Sequence, residues 1–350
     1  MRIMVITQAV DRKDPVLGFF HRWIEEMARD FESVLVVCLK RGDYDLPKNV
    51  DVLSLGKEEG GSRSLARLRY IGRFYRYIFF QDYDAVFVHM NPEYVIWGGL
   101  YWKIFRKKLG LWYAHKSVTW KLRVAAILAD GLFTPSKESL RVNSRKTMIM
   151  GHGIDTKRFS PAPATTRREG AFSAITIGRL SPSKGYETML EAMTRMKADV
   201  RLRIVGGAAA LGDDVYMARL QEMTSFLRLQ AAVSFEKPVV HDDVPAVLRS
   251  ADIFINASKT GSLDKAVLEA MACGVPALTS NEAFADMLAL FGLTFPSGDS
   301  QALALAIDSL AARRAALPSL GRELRDIVVR RHSLEGLITG IRHWYGKTGR

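Results

Sequence analysis

Two short stretches hold the residue types that could bind a phosphorylated substrate. The first is Ile175-Thr176-Ile177-Gly178-Arg179-Leu180-Ser181-Pro182-Ser183-Lys184-Gly185-Tyr186, a β-branched run ending on a glycine, then a loop with two cations five residues apart. A helix is expected to begin at about Gly185. Backbone N–H groups at a helix start, beside an arginine and a lysine, form a diphosphate site. Without a ligand, the same loop is a solvated turn with incidental charges. The second stretch runs from Ser258 through Gly261, Ser262, Leu263, Asp264, Lys265 and Leu268 to Glu269. Gly261 and Ser262 add little bulk, so loop amides can approach a polar ligand closely. Glu269 sits in an otherwise small, apolar helix, where it either accepts ribose hydroxyls or points to solvent.

Such loops need strands to hold them. Short β-branched runs alternate with amphipathic stretches, the pattern of a parallel α/β architecture. In the first half, strands are expected at 3–7, 34–39, 51–55, 85–89, 111–115, 131–134 and 148–150, with helices clearest at 19–30, 65–80 and 94–107. In the second half, strands are expected at 174–178, 202–205, 233–235, 253–257 and 277–280, again with helices between them. The segment 159–170 carries Pro161 and Pro163 among small polar residues and reads as a linker. The expected organisation is an N-terminal doubly wound domain over 1–158, this linker, a second such domain over 171–331, and a final helix over 332–350. Two such sheets would face a central cleft, with strand C-terminal ends toward the ligand.

Length and composition agree. A chain of 350 residues, 48% hydrophobic and 25% charged, is a globular protein of two domains rather than a disordered or fibrous one. No apolar run reaches the roughly 20 residues of a membrane span, and the N-terminus has too short an apolar run for a signal peptide. Cys38 and Cys273 can build neither a disulfide framework nor a zinc site, which points to a reducing cytoplasm. Charge is uneven: residues 1–158 hold 27 Lys and Arg against 17 Asp and Glu, a net +10. The remainder holds 23 against 20, a net +3. A basic first half implies an anionic partner.

The order of five motifs resembles a retaining glycosyltransferase of the GT-B fold, family four (glycosyl transferases group 1). They are the two stretches above, Met150-Gly151-His152-Gly153-Ile154-Asp155 with Phe159, Leu202-Arg203-Ile204-Val205-Gly206-Gly207, and Asp252-Ile253-Phe254-Ile255-Asn256-Ala257-Ser258. The resemblance implies two Rossmann-like domains and a nucleoside-diphosphate-sugar donor on the second. Arg179 and Lys184 would hold the diphosphate, Glu269 the ribose, and Gly261–Lys265 the donor sugar. The family has a second glutamate eight positions before Glu269, and here that position is Gly261. Gly18, in Leu17-Gly18-Phe19-Phe20-His21 after Asp14-Pro15, resembles the glycine turn that closes over donor and acceptor; its residues alone read equally as a bare strand–helix turn. His115, expected at a strand end, reads as a structural histidine from its residue type, and as a donor-sugar contact from the resemblance. His89 is the weaker candidate.

The basic stretch 62–80 combines Arg63, Arg67, Arg69, Arg73 and Arg76 with aliphatic and aromatic residues. It fits a helix that lies on an anionic membrane surface or presents an acceptor; it also fits an amphipathic helix packed on its own sheet with arginines in water. The triplets Asp43–Asp45 and Asp82–Asp84 read as turns, not as a metal site. The expectation is therefore a cytoplasmic, peripheral enzyme. It would move a hexose from a nucleotide sugar, UDP-sugar before GDP-mannose, to a glycan or lipid-linked acceptor, with no metal or other cofactor and no nucleic-acid partner. A nucleotide-sugar binder without turnover, or a GT-B epimerase, are the alternatives.

Overall fold

A computed structural model describes residues 1–14, 16–162, 170–207, 213–258 and 261–347, with the backbone alone at 213 and 214. Pro15, most of the expected linker, and Lys259-Thr260 lie outside the described residues.

The chain divides into two compact units, 1–153 with 333–350, and 154–332. In the first, strands β1 (Arg2–Val10), β2 (Ser33–Arg41), β3 (Val50–Ser54), β4 (Ala85–His89), β5 (Lys108–Trp112), β6 (Gly131–Thr134) and β7 (Thr147–Ile149) form one sheet. Its order is β3-β2-β1-β4-β5-β6-β7, and every pairing is parallel. The central register sets Ile3 beside Val34 on one side and Ala85 on the other. Helices cover both faces, so the middle strands are apolar throughout rather than alternating, and every residue of β4 is buried.

Helix α1 (Gly18–Asp30) buries Phe20, Trp23, Ile24 and Met27 at i, i+3, i+4 and i+7. These pack with Ile3, Val5 and Val36 on one face of the sheet. The opposite face is covered by α2 (Arg63–Phe80), α3 (Pro92–Ile104) and α4 (Trp120–Leu128), which bury Phe74, Ile78, Trp102 and Leu122 against Met4, Ile6 and Val88. None of the helices among the described residues is long and apolar enough to cross a membrane.

The second unit holds β8 (Phe172–Ile177), β9 (Val200–Val205), β10 (Val233–Glu236), β11 (Ile253–Asn256) and β12 (Ala277–Thr279) in the parallel order β10-β9-β8-β11-β12. Between and after them lie α5 (Tyr186–Met193), α6 (Asp213–Phe226), α7 (Val244–Arg249), α8 (Lys265–Ala272), α9 (Ala285–Leu288), α10 (Ser300–Ala312) and α11 (Leu317–His332). The winding reverses between β8 and β11. That is where an open α/β sheet leaves a crevice at its strand C-termini.

The final helix, α12 (Leu334–Gly346), belongs to the first unit. Ser333 caps it by accepting from the Gly336 N–H, and Leu334, Leu337, Ile338, Ile341 and Tyr345 are buried beside α1. The Tyr345 hydroxyl donates to the Val86 carbonyl of β4. The division between units falls at Gly153–Ile154 rather than after residue 158. The Ile154 N–H binds the His332 carbonyl at 2.7 Å, Phe159 is buried in the second core, and Arg325 donates to the Phe159 and Thr156 carbonyls. Phe159–Ala162, expected in a linker, thus lies within the second unit.

Cys38 and Cys273 are both buried, and burial pushes each thiol up to about 12, so neither is a thiolate at neutral pH.

Candidate functional site

The two sequence stretches emerge from the two strands that flank the reversal. β8 runs into Gly178, whose N–H binds the Val205 carbonyl at 3.0 Å. Gly206 must lack a side chain, since a Cβ there would stand 1.9 Å from the Gly178 carbonyl oxygen. The loop then makes a 3₁₀ turn over Pro182–Lys184 and reaches Gly185 in the left-handed region, at φ +66°. A Cβ on Gly185 would sit 2.4 Å from the Ala257 oxygen at the end of β11. Glycine is needed there for conformation and for space. Tyr186 opens α5, and its hydroxyl donates to the Arg179 carbonyl at 3.1 Å, pinning the loop from beneath.

Lys184 is ion-paired to Asp264, 80 residues on. Asp264 is also the N-cap of α8, accepting from the Ala266 N–H at 3.3 Å, and it accepts from Asn256 Nδ2 at 3.0 Å. Burial pushes the Asp264 carboxyl up; the Lys184 ammonium and these hydrogen bonds pull harder, so it is held below its ordinary value. The network continues inward: Thr279 Oγ1 donates to Asn256 Oδ1 at 2.9 Å, and the Asn281 N–H donates to Thr279 Oγ1. Asn281 Nδ2 returns to the Ser262 carbonyl at 2.7 Å, fixing the glycine-serine loop from below. Arg179 is exposed and has no carboxylate partner among the described contacts.

One turn further along α8, Glu269 is buried beside a histidine and a lysine. Its Oε1 lies 3.2 Å from His241 Nε2 and 3.6 Å from Lys265 Nζ. Burial lowers the Lys265 pKa to about 8, against the upward pull of Glu269 and then Asp155, with Arg158 adding to the drop. His241 in turn packs on Phe159, with ring centroids 5.4 Å apart. The first pair thus joins the two loops at the reversal, and the second lies on α8 and on the segment that follows β10.

Sequence reasoning places Gly178, Arg179, Lys184, Gly261, Ser262, Asp264, Lys265 and Glu269 here; the first six stand on these loops, and Lys265 and Glu269 on the first turns of α8. Leu268 does not present its side chain to the crevice: it is fully buried on the core side of α8, and Leu263 is buried with it. Asn256, Thr279, Asn281 and His241 complete the site without having been singled out. Polar residues closing β11 and β12 were the available signal for the first three; His241 carries none.

The first unit carries Gly18 and His115. Gly18 begins α1, where a Cβ would lie 2.9 Å from the Arg12 carbonyl oxygen. Asp14 holds the turn by accepting from the Val16 and Leu17 N–H groups. His115 is not at a strand end: β5 starts at Lys108 and stops at Trp112, so the histidine lies exposed in the following turn, accepting from the Ser117 N–H. His89 is buried and stacks on Phe20 at 4.1 Å, a core position. The acidic triplets are tied to local cations, Asp84 to Arg2 at 3.0 Å and Asp43 to Lys13 at 2.6 Å. Of the five arginines of α2, Arg63, Arg67 and Arg76 face solvent. Arg69 and Arg73 turn back onto the preceding loop instead, Arg69 donating to the Gly56 and Gly60 carbonyls and both pairing with Glu59.

Paired parallel sheets with glycine loops at the second reversal define a GT-B architecture. Whole-chain likeness to solved structures agrees: an Anabaena HepE structure in complex with UDP superposes with a TM-score of 0.77 at 19% identity, covering 98% of this chain and 99% of that one. A glycosyltransferase from Rickettsia africae gives 0.77 at 15% identity, covering 99% of each. Residues 171–313, most of the second unit, match the family model described as glycosyl transferases group 1. A mannosyltransferase of Mycolicibacterium smegmatis, described as GDP-mannose-dependent and acting on a phosphatidylinositol monomannoside, is 30% identical over 193 residues, 49% of each chain. The D-inositol 3-phosphate glycosyltransferase of Geodermatophilus obscurus is 28% identical over 149 residues, 39% of this chain and 33% of its own. The chain spans a third to a half of the length of these two curated relatives.

Proposed function

We propose that the protein is a retaining, metal-independent hexosyltransferase, taking its sugar from a nucleoside-diphosphate donor, UDP-sugar before GDP-mannose, and passing it to a glycan or lipid-linked acceptor at an anionic membrane surface. The observation that carries this reading is the set of charge pairs beside the reversal, Lys184 with Asp264 across the two loops and Lys265 with Glu269 on α8. Arg179 and Lys184 take the diphosphate, Glu269 the ribose hydroxyls, and the Gly261–Lys265 loop the sugar. His115 and Gly18 are assigned to sugar and acceptor by resemblance alone.

In the reaction, the acceptor oxygen forms a bond to the anomeric carbon on the face the diphosphate leaves. The bond from that carbon to the phosphate oxygen breaks, and that oxygen takes the acceptor proton. Negative charge grows on the departing diphosphate, so cations fixed beside it stabilise the transition state more than the bound donor. Asp264 holds the Lys184 ammonium in the free protein, so a bound diphosphate shares or displaces that pair.

Thermal stabilisation by UDP, GDP and ADP, each with and without EDTA, tests the reading. A shift from one nucleotide that survives EDTA and is lost in Lys184→Ala supports it; no shift from any of them overturns it. A second reading, a nucleotide-sugar binder without turnover, is favoured by Gly261 standing where the family has glutamate. It predicts the same thermal shift with no release of nucleoside diphosphate from any donor offered with acceptor.

A further inference from the structure

Asp264 and Lys265 stand side by side at the start of α8 and turn to different partners. Asp264 meets Lys184 on the loop after β8, at the end of the site given to the diphosphate. Lys265 turns along the helix to Glu269, four residues on, with Nζ 3.6 Å from Oε1. His241, in the segment between β10 and α7, brings Nε2 to 3.2 Å from the same oxygen. Neutralising one buried carboxylate takes one cation, and here two basic groups from two elements stand on it.

Their exposure is graded. The Glu269 side chain is 8% exposed, that of Lys265 21% and that of His241 30%. A hydroxyl that reaches the carboxylate therefore comes in beside the amine and the imidazole. The other charges around Lys265 oppose one another: Asp155 and Arg158 act on it with opposite sign, and Arg158 is itself paired with Asp242. Burial brings the Lys265 pKa to about 8, so near that pH half of it is a neutral amine. A neutral amine donates to one hydroxyl oxygen and accepts from a neighbouring O–H, which suits a vicinal diol; a carboxylate only accepts.

We infer that Lys265 is a ribose-binding residue, its amine on the same diol whose hydroxyls Glu269 accepts, with His241 holding the carboxylate in place. The meeting of Lys265 and His241 on one oxygen of Glu269 is the observation that carries it. The inference rests on the proposed donor site and moves Lys265 within it, from the sugar to the ribose. Two adjacent residues, Asp264 and Lys265, then serve the two ends of one nucleoside diphosphate.

The test is trapping of the full-length wild-type protein near pH 8 with periodate-oxidised UDP, GDP and ADP, whose ribose carries two aldehydes in place of the diol. An amine within reach attacks an aldehyde carbon and forms a C–N bond, and the carbonyl oxygen leaves as water. Hydride from cyanoborohydride, with a proton from solvent, then reduces the imine to a stable secondary amine. Peptide mass mapping should place one adduct on Lys265, suppressed by excess unoxidised nucleotide. A protectable adduct on Lys184 or another lysine instead overturns the assignment.

Calorimetry supplies a second readout. Lys265→Met should weaken UDP and UDP-glucose by the same factor, roughly three- to tenfold for one lost hydrogen bond, and leave 2′,3′-dideoxy-UDP at its wild-type affinity. A loss confined to UDP-glucose returns Lys265 to the sugar. His241→Ala should likewise weaken UDP and spare the dideoxy nucleotide, with His241→Gln, which keeps a donor, restoring the affinity. An equal loss for the dideoxy nucleotide makes either role structural and overturns it. If no nucleotide shifts the melting curve and none leaves a protectable adduct, the donor reading itself falls; a shift without an adduct on Lys265 sinks this inference alone.

Discussion

The Lys184–Asp264 pair sets ligand against fold in a way that can be measured. In the free protein Lys184 is neutralised by Asp264, and the side chains are 24% and 13% exposed. Breaking a fully buried pair by removing one partner costs about 3–5 kcal/mol. At this exposure, with Asn256 and the Ala266 N–H still bonded to Asp264, the cost of Lys184→Ala should be about 1–3 kcal/mol. For a unit of this size that is a fall in Tm of roughly 3–9 °C. On the proposed function, the diphosphate competes with Asp264 for the same ammonium. Losing a hydrogen bond to a charged group costs about 1.5–3 kcal/mol, so Lys184→Ala should weaken UDP binding roughly 10- to 100-fold.

Asp264→Asn has the opposite sign for the nucleotide. It keeps an acceptor for the Ala266 N–H, removes the competing charge, and leaves Lys184 free for phosphate. Calorimetric titration of UDP into both single variants and the double variant separates the terms. The expectation is tighter binding in Asp264→Asn, up to about tenfold, and a double variant that behaves like Lys184→Ala. If Asp264→Asn weakens UDP as much as Lys184→Ala does, the competition reasoning is wrong and Asp264 itself holds the ligand. If Lys184→Ala leaves UDP affinity intact, the diphosphate is not at this loop.

Other predictions follow from single contacts. Lys265 titrates near 8 in the folded chain and near its ordinary value of about 10.5 when unfolded, so the unfolded state binds more protons between those values and this residue's contribution to stability rises with pH there. Urea melts of wild type and Lys265→Met at pH 7 to 10.5 should show the difference moving in favour of wild type across that window; a flat difference refutes the shifted lysine. Gly185→Ala puts a Cβ 2.4 Å from the Ala257 oxygen at φ +66°, and should lower the Tm and abolish the UDP shift together. Deleting residues 333–350 removes Leu334, Leu337, Ile338, Ile341 and Tyr345 from the first core. At about 1.5–3 kcal/mol each, that matches or exceeds the whole stability of a typical domain, so proteolysis should digest the first unit and spare the second.

Much of the scaffold was legible because parallel strands buried on both faces are spelled as unbroken β-branched runs. All twelve expected strands are present, most within a residue or two of their predicted bounds. The exception is instructive. β5 was expected at 111–115, where Leu-Trp-Tyr-Ala-His is most apolar, yet the strand starts at Lys108 because its pairing with β4 sets Lys108 beside Ala85. Register with a neighbour, not local hydrophobicity, fixed its ends, and that moved His115 off the sheet. Helices α4, α10 and α11 escape the same reading for a different reason. α10 and α11 do bury apolar stripes, Leu303, Ile307 and Leu310 in one and Leu317, Leu324 and Val328 in the other, but alanines and charged residues surround these stripes, and the clearest start signals are the Thr119 cap of α4 and the Asp299 cap of α10.

The site shows where local reading ends. Gly178, Arg179 and Lys184 were visible because a glycine and two cations stand close together after a β-branched run, and Glu269 because it is the one carboxylate in a small, apolar helix. What those groups do in the free protein depends on partners far along the chain: Lys184 on Asp264, Glu269 on His241, Asp264 on Asn256 and through it Thr279. No spacing rule connects these. They meet because β8, β11 and β12 end side by side, and a sheet order is not written in any one of its strands. On the proposed function, Asp264 sets a carboxylate beside the lysine that takes the diphosphate. A nucleotide whose affinity rises in Asp264→Asn would show that this carboxylate weakens ground-state binding of the diphosphate, leaving more of the Lys184 charge to act as the bond to the sugar breaks.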